Sequence, residues 1–442
     1  MPFRSLCYDL QFLTMPTPSL LIVPARFKSG KLYSQIPTSG AGDFTVTRAT
    51  NATRVNSAGL IESVASGIPR LDYFASGGTV GCPALLVEPA ATNGILNSAD
   101  TRTSWVCWSG LTSGVIDVIG VSGTNLTVAV SGSNIGAGAG VGNLSRSSNN
   151  VALASGSTYT ISFLLKKTGS HTVGGYYASI TGAAAGDLGG GFNVSGSFSS
   201  GSFFTSNFTT NRIRRVEQWG TDVFRCSETF TMSASGTLTT FRVGPITSVT
   251  NANNPAVGAG IGFAAPQIEL GSVPTSFIPT TAASGSRSAD VISVSGAVSG
   301  SIGQTEGTIY CEFEATNDAA TRRLLTLSDG SQLNRIMLLY LNGEWRAQIQ
   351  STNILLGNLT SGYHKIAFAY QQNGVSGNLF ASIDGGAVVS GTSATFPASL
   401  TMVNLGKIED TGSSSFLNAH IRAAALYTTR LTNAELAALT SL

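Results

Sequence analysis

The sequence predicts an all-β chain: an N-terminal arm with short strands, then two β-sandwich (jelly-roll) domains, then a short C-terminal helix. Three observations carry that expectation. The 442 residues include 56 Ser, 48 Thr and 52 Gly, types that suit strands and turns and are weak in helix interiors. Apolar and polar residues alternate with a period of two in segment after segment, separated by Gly, Ser and Asn-Gly turns. A helix signature occurs once, at the C terminus.

Residues 1–93 hold eight of the 14 prolines and no long periodic segment, which reads as an extended arm. Within it, residues 43–55 (DFTVTRATNATRV) alternate Phe44, Val46 and Arg48 against Thr45 and Thr47, as an edge strand would. Residues 94–283 form the expected first sandwich. Tyr159, Ile161, Phe163 and Leu165 share one strand face, as do Phe224, Cys226, Phe230 and Met232, followed by a turn at Ser235-Gly236 and a partner strand over 239–243. A linker at 280–287 (TTAASGSR) opens the second sandwich, 284–442. There Ile309, Cys311 and Phe313 point one way and Tyr310, Glu312 and Glu314 the other. Strands 336–341 and 345–350 meet across Asn342-Gly343, the residue pair that a type I′ hairpin turn favours, and a second turn sits at Asp384-Gly385. After a strand at 420–427, Thr432 and Glu435 form a capping box, and Leu436, Leu439 and Leu442 give the helix its apolar stripe.

Charge excludes several functions. Against 25 Lys+Arg stand 23 Asp+Glu, a net +2, and charged residues are 11% of the chain compared with roughly 25% in ordinary soluble domains. Nucleic-acid binding needs a concentrated basic surface and is not expected. The apolar stretch 6–23 is broken by Asp9, Gln11, Pro16 and Pro18, so neither a membrane span nor a secretion signal is expected, and the chain is expected to stay in the cytosol. The five cysteines (Cys7, Cys82, Cys107, Cys226, Cys311) show no metal spacing and most read as buried thiols, with Cys7, close to a terminus, the one placed to reach another chain.

The stretches RATNATRVNSAGLIESVASGIPRLDY (48–73) and PALLVEPAATN (83–93) resemble tail and fibre-type structural proteins of bacteriophages. APQIELGSVPTSFIPT (265–280) is similar to the closing strand of carbohydrate-binding-module-like jelly rolls in those proteins. The third unit is similar to concanavalin-A-like, laminin-G-type domains through Ile383-Asp-Gly-Gly and the ending IRAAALY (421–427) followed by Leu431, Thr432, Glu435 and Leu436. The resemblance implies a virion surface protein, assembled in the host cytoplasm, with residues 1–93 attaching to tail, collar or capsid proteins.

Catalytic patterns are sparse. Glycoside hydrolysis uses two carboxyl groups about 5 to 10 Å apart, and Glu312 and Glu314, roughly 7 Å apart on one strand face, are the best pair; they read as solubilising charges. His171, His364 and His420 lie far from any nucleophile motif, and the Gly-rich stretches 136–142 and 186–191 read as loops without a phosphate-cradling pattern. No enzymatic activity and no cofactor are expected. Calcium recurs in laminin-G-like domains, and Asp329, Asp384, Glu409 and Asp410 lie near loops, but they read as ordinary Asx turns. Sugar binding combines an aromatic platform with hydrogen-bonding side chains. The candidates are Tyr176, Tyr177, Tyr340 and Trp345; Trp105, Trp108 and Trp219 read first as core residues.

The expected function is that of a fibre or spike-type virion protein whose sandwiches bind bacterial surface polysaccharide. A homotrimer is expected, because linked weak contacts gain avidity. Two alternatives stand beside it: a purely structural collar, decoration or head-fibre protein, and a polysaccharide depolymerase tailspike.

Overall fold

The computed structural model describes residues 15–75, 79–130, 143–183, 186–195, 199–204, 209–251, 255–315, 320–408 and 415–441. The chain is built almost entirely of antiparallel strands, as expected, arranged as two sandwiches.

Among the described residues the expected separate arm is not found: Ala52–Val55 and Ile61–Val64 pair with each other, while Leu20–Ile22, Phe27–Lys28, Lys31–Leu32, Phe44–Thr47, Leu71–Ala75 and Thr79–Val87 complete the C-terminal sandwich. Its first sheet runs Val389–Ser393, Ser376–Ile383, Gly362–Asn373, Glu306–Ala315, Ala419–Tyr427, Thr79–Val87, Leu71–Ala75, and Leu20–Ile22 also pairs with Ala419–Tyr427. Its second runs Phe27–Lys28, Lys31–Leu32, Phe44–Thr47, Val291–Ser295, Met402–Leu405, Arg322–Ser328, Arg335–Leu341, Glu344–Ile349, Thr352–Gly357. Leu20, Phe44, Val46 and Leu85 share one core with Phe313, Trp345 and Phe368. The reason is burial. Strands of two to nine residues cannot enclose a core of their own, and the apolar faces of Phe44–Thr47 and Thr79–Val87 join a core supplied mostly by strands from the other end of the chain.

The chain leaves this sandwich at Asn93 and returns at Gly285, the two being paired in a short ribbon of Ala91–Asn93 with Gly285–Arg287. The inserted sandwich has one sheet ordered Leu111–Val118, Val121–Val128, Gly260–Leu270, Thr158–Lys167, Val223–Met232, Thr209–Gly220. The facing sheet runs Val106–Cys107, Leu144–Arg146, Gly236–Pro245, Val173–Thr181, Gly186–Asn193, Ser199–Phe204, with Val151–Leu153 also on Gly236–Pro245. Phe163 centres its core, within 5.8 Å of the rings of Tyr176, Phe192 and Phe263.

Residues 186–191 are therefore strand, not loop. A Cβ at Gly190 would come within 2.9 Å of the Glu228 carboxylate and one at Gly191 within 2.6 Å of Val249, so glycine here serves close packing rather than turning. The other glycine stretch, 136–142, lies outside the described residues. Local signals read well. Asn342 and Gly343 have φ of 53° and 85°, Asp384 and Gly385 49° and 73°. Helix Asn433–Leu439 carries both hydrogen bonds of the Thr432/Glu435 capping box. Leu436 and Leu439 are buried against Tyr310, Ala367, Ala369, Ala425 and Tyr427 on the outer face of the first sheet.

Candidate functional site

The two sandwiches meet around the ribbon, and five charged side chains there are all at most 4% exposed: Arg48, Arg70, Glu88, Arg287 and Asp290. Arg48 donates to Asp290 at 2.9 Å and to the carbonyls of Thr50 and Ile68. Arg70 donates to Glu88 at 2.7 Å, to Asp290, and to the Ser276 hydroxyl at 2.8 Å. Arg287 lies 2.9 Å from Glu88 and donates to the hydroxyls of Thr275 and Ser276. Glu88 also accepts from the Ser276 backbone N–H at 2.6 Å and its hydroxyl at 2.7 Å. Burial alone would raise the Glu88 pKa, but Arg287 and Arg70 hold its carboxyl far below the usual range. Arg48 and Arg287 are pulled down by burial, whereas Asp290 and Glu88 outweigh burial at Arg70 and raise it.

Uncharged neighbours extend the lock. Asn93 donates to the carbonyls of Pro266 and Ile278 and accepts from the N–H of Ile268. Trp219 of the inserted sandwich packs tilted against Phe74 of the enclosing one, ring centres 4.8 Å apart, with the Arg225 guanidinium 5.0 Å from its ring. The two N-terminal stretches quoted above thus supply Arg48, Arg70, Glu88 and Asn93, and residues 265–280 supply the groups that Glu88 and Asn93 grip. Sequence reasoning missed this junction; the one signal for it is charge in a charge-poor chain, which does not tell which residues pair.

Cavities surround the ribbon. One of about 580 Å³ is lined by Ala91, Thr92, Val151, Tyr159, Ile268, Glu269, Ser286 and Arg287 among others. A second of about 370 Å³ shares Ser286 and Arg287 and adds Thr50, Asn51 and Phe277. A third of about 400 Å³ shares Ala90, Ala91 and Leu270 and reaches Arg322 and Asn418. Together they form a groove between the sandwiches, with hydroxyls beside apolar surface. Burial raises the Glu269 pKa, while Thr275 donates to both its oxygens and Gln267 to one.

None of the four expected aromatic platforms is exposed. Tyr176 (0%), Tyr340 (3%) and Trp345 (1%) face the sandwich interiors. The Tyr176 hydroxyl donates to buried Glu228 at 2.9 Å, which also pairs with Arg212 and Arg214. Tyr177 lies on the outer face as alternation requires, yet Arg242 on the neighbouring strand covers its ring at 4.7 Å; burial, with Asp187 beside it, pushes the phenol up to about 12. Trp105 is buried with its indole donating to the Asn97 carbonyl, and Trp108 is half-buried.

Glu312 and Glu314 face outward but each meets a cation. Glu312 lies 3.4 Å from Arg422, whose guanidinium stacks 3.3 Å from the Tyr363 ring centre. Glu314 lies 2.5 Å from His420, which is buried between it and Asp72 at 3.5 Å. Burial disfavours the imidazolium, but Tyr363, Glu314 and Asp72 around it carry the His420 pKa well above the usual histidine value. His171 contacts the Val173 carbonyl, and His364 is held between Asp384 at 2.5 Å and the Thr360 carbonyl. Asp384 also accepts from the Lys365 N–H, and Asp329 accepts from the Ser331 N–H and the Asn334 amide. Glu409 and Asp410 lie outside the described residues. Among the described residues no group of three or more His, Cys, Asp or Glu is placed to hold a metal ion.

Cys82 is disulfide-bonded, Cys226 and Cys311 are buried thiols whose pKa burial raises, and Cys107 is half-buried. Cys7 lies outside the described residues. No helix among them is long and apolar enough to cross a membrane.

No family profile and no curated protein sequence matches the chain. Among solved structures, it is similar to the carbohydrate-binding module CBM40 of the Ruminococcus gnavus IT-sialidase bound to α2,6 sialyllactose (19% identity, 31% of this chain and 84% of that one, TM-score 0.27). It is similar also to domains LG4-5 of the mouse laminin α1 chain (12%, 64% and 88%, TM-score 0.22). A third is Trypanosoma rangeli sialidase (10%, 90% and 77%, TM-score 0.28). Likeness this slight carries no argument about ligand or activity.

Proposed function

We propose that this chain is a bacteriophage virion protein of fibre or spike type, whose two sandwiches act as one body and bind a bacterial surface polysaccharide in the groove at their junction without cleaving it. The groove carries the reading. At about 580 Å³ its first cavity is of ligand size, and exposed Leu270 with half-buried Ala91 and Val151, beside the hydroxyls of Thr92, Ser286 and Ser288, suits a sugar, which offers apolar C–H faces and a ring of hydroxyls. The buried ions hold both walls, so a ligand would meet a formed site rather than order one. The virion assignment rests on the sequence resemblance. With Leu20–Ile22, Phe44–Thr47, Leu71–Ala75 and Thr79–Val87 built into the sandwich, particle attachment falls to surface they leave open, foremost the hairpin of Phe27–Lys28 and Lys31–Leu32, where Arg26 and Lys28 lie 5.9 Å from the Tyr33 ring centre. Glu269 is the one acid lining the groove's largest cavity, and its oxygens are already held; this supports binding over hydrolysis, which needs a second carboxyl group.

The test is an array of bacterial surface polysaccharides probed with the full chain, reducing-sugar release being assayed in the same wells. Binding without release is expected. Ala152→Trp, at an exposed wall position of the groove, should then weaken retention about tenfold or more, a loss on the order of 1.4 kcal/mol, with an unchanged melting temperature. Release would make the protein a depolymerase, and silence a purely structural virion component.

A further inference from the structure

Leu111–Val118 is an edge strand of the inserted sandwich's six-stranded sheet, and among the described residues no strand pairs with its outer side. Natural sheets protect such edges by shortness, charge, proline or bulges. Five other edges follow that rule. Thr209–Gly220 carries Arg212, Arg214 and Arg215 and two breaks in register. Val106–Cys107 and Phe27–Lys28 are two residues long, Ser199–Phe204 has Val249 against Gly201, and Leu71–Ala75 is bulged. Leu111–Val118 has a single such device, the charge of Asp117 next to its turn. It runs eight residues in unbroken register with its hairpin partner, without Lys, Arg or Pro.

The strand is also held ready. Leu111 is buried in the sandwich interior and Val118 in the cluster on the opposite face of the sheet, so both ends are fixed while Thr112, Ser113, Gly114 and Val115 are exposed on both faces, Val115 at 71%. The hairpin turn is fixed in its turn by the Ile61 N–H donating to the Ile119 carbonyl at 2.8 Å.

We propose that this edge pairs with the same edge of a second copy of the chain, antiparallel about a two-fold axis, joining six strands from each copy into one sheet. The occupant follows from charge. The strand's one ionisable residue is Asp117, so nothing on it selects a charged peptide. An identical strand centred on Gly114 or on Val115 places Asp117 opposite Leu111 or Ser113, never opposite itself, and like charges directly opposite are what such pairing must avoid. The contact closes at two copies, and it is independent of the saccharide reading.

Sedimentation of the full chain over a concentration series tests it. The wild type is expected to dimerise. Val115→Lys should raise the dissociation constant about tenfold or more, because it sets like charges against each other across the axis. Val115→Glu should do the same alone, and an equimolar mixture of the two variants should dimerise again. Unchanged thermal unfolding of each variant checks that the monomer is intact. A wild type that stays monomeric at every concentration reached, or an assembly of any size that survives Val115→Lys, overturns the proposal.

Discussion

Glu88→Ala is expected to lower stability by about 3–5 kcal/mol, the cost of breaking a buried ion pair from one side, and to split thermal unfolding into two transitions. The carboxylate accepts from Arg70, Arg287 and Ser276 at once, so its loss leaves buried Arg287 without its carboxylate and buried Arg70 with Asp290 alone, and frees the segment that ties the inserted sandwich down. The inserted sandwich keeps its own core, which is why the second transition should survive. Calorimetry reads both outcomes, and a single transition at the wild-type temperature would count against the network. Acid gives an independent check. Because the folded-state pKa of Glu88 lies far below its ordinary 4.5, its contribution is complete above about pH 4.5 and is lost as the pH falls through the folded value. Wild type and variant should therefore converge in acid.

Trp345→Ala is expected to cost about 3–5 kcal/mol, the range for emptying a large aromatic site in a core, and to leave saccharide retention per folded molecule unchanged. The indole is 1% exposed, 4.4 Å from the Phe313 ring and 5.5 Å from Tyr340. Urea titration gives the stability loss. A variant that kept its stability and lost retention would restore the exposed-platform reading.

That residue shows where sequence reading stops. Alternation places Tyr340 and Trp345 on one face of their hairpin, and they are indeed cross-strand partners, but alternation does not say which face a second sheet will cover. Signals contained within a few residues were legible: the Asn342-Gly343 turn, the Thr432/Glu435 capping box, the inward set Ile309, Cys311 and Phe313. Pairing across the chain was not. Arg48 and Asp290 are 242 positions apart, and nothing near either names the other. The quoted stretches 48–73 and 83–93 were visible as motifs, yet their work, closing a sandwich around an insertion, became clear only from the contacts of Arg70, Glu88 and Asn93. Residues 186–191 read as loop, yet they are strand, because glycine signals both turning and close approach.

The most direct test of this architecture is to produce residues 94–283, 284–441 and 15–93 as separate chains and record their amide NMR spectra alone and mixed. Residues 94–283 should give a dispersed, folded spectrum alone; 284–441 should not, lacking strands of both its sheets, and should fold when 15–93 is added. A folded spectrum from 284–441 alone would contradict the account, since the N-terminal segment would then be an accessory to that sandwich rather than part of it.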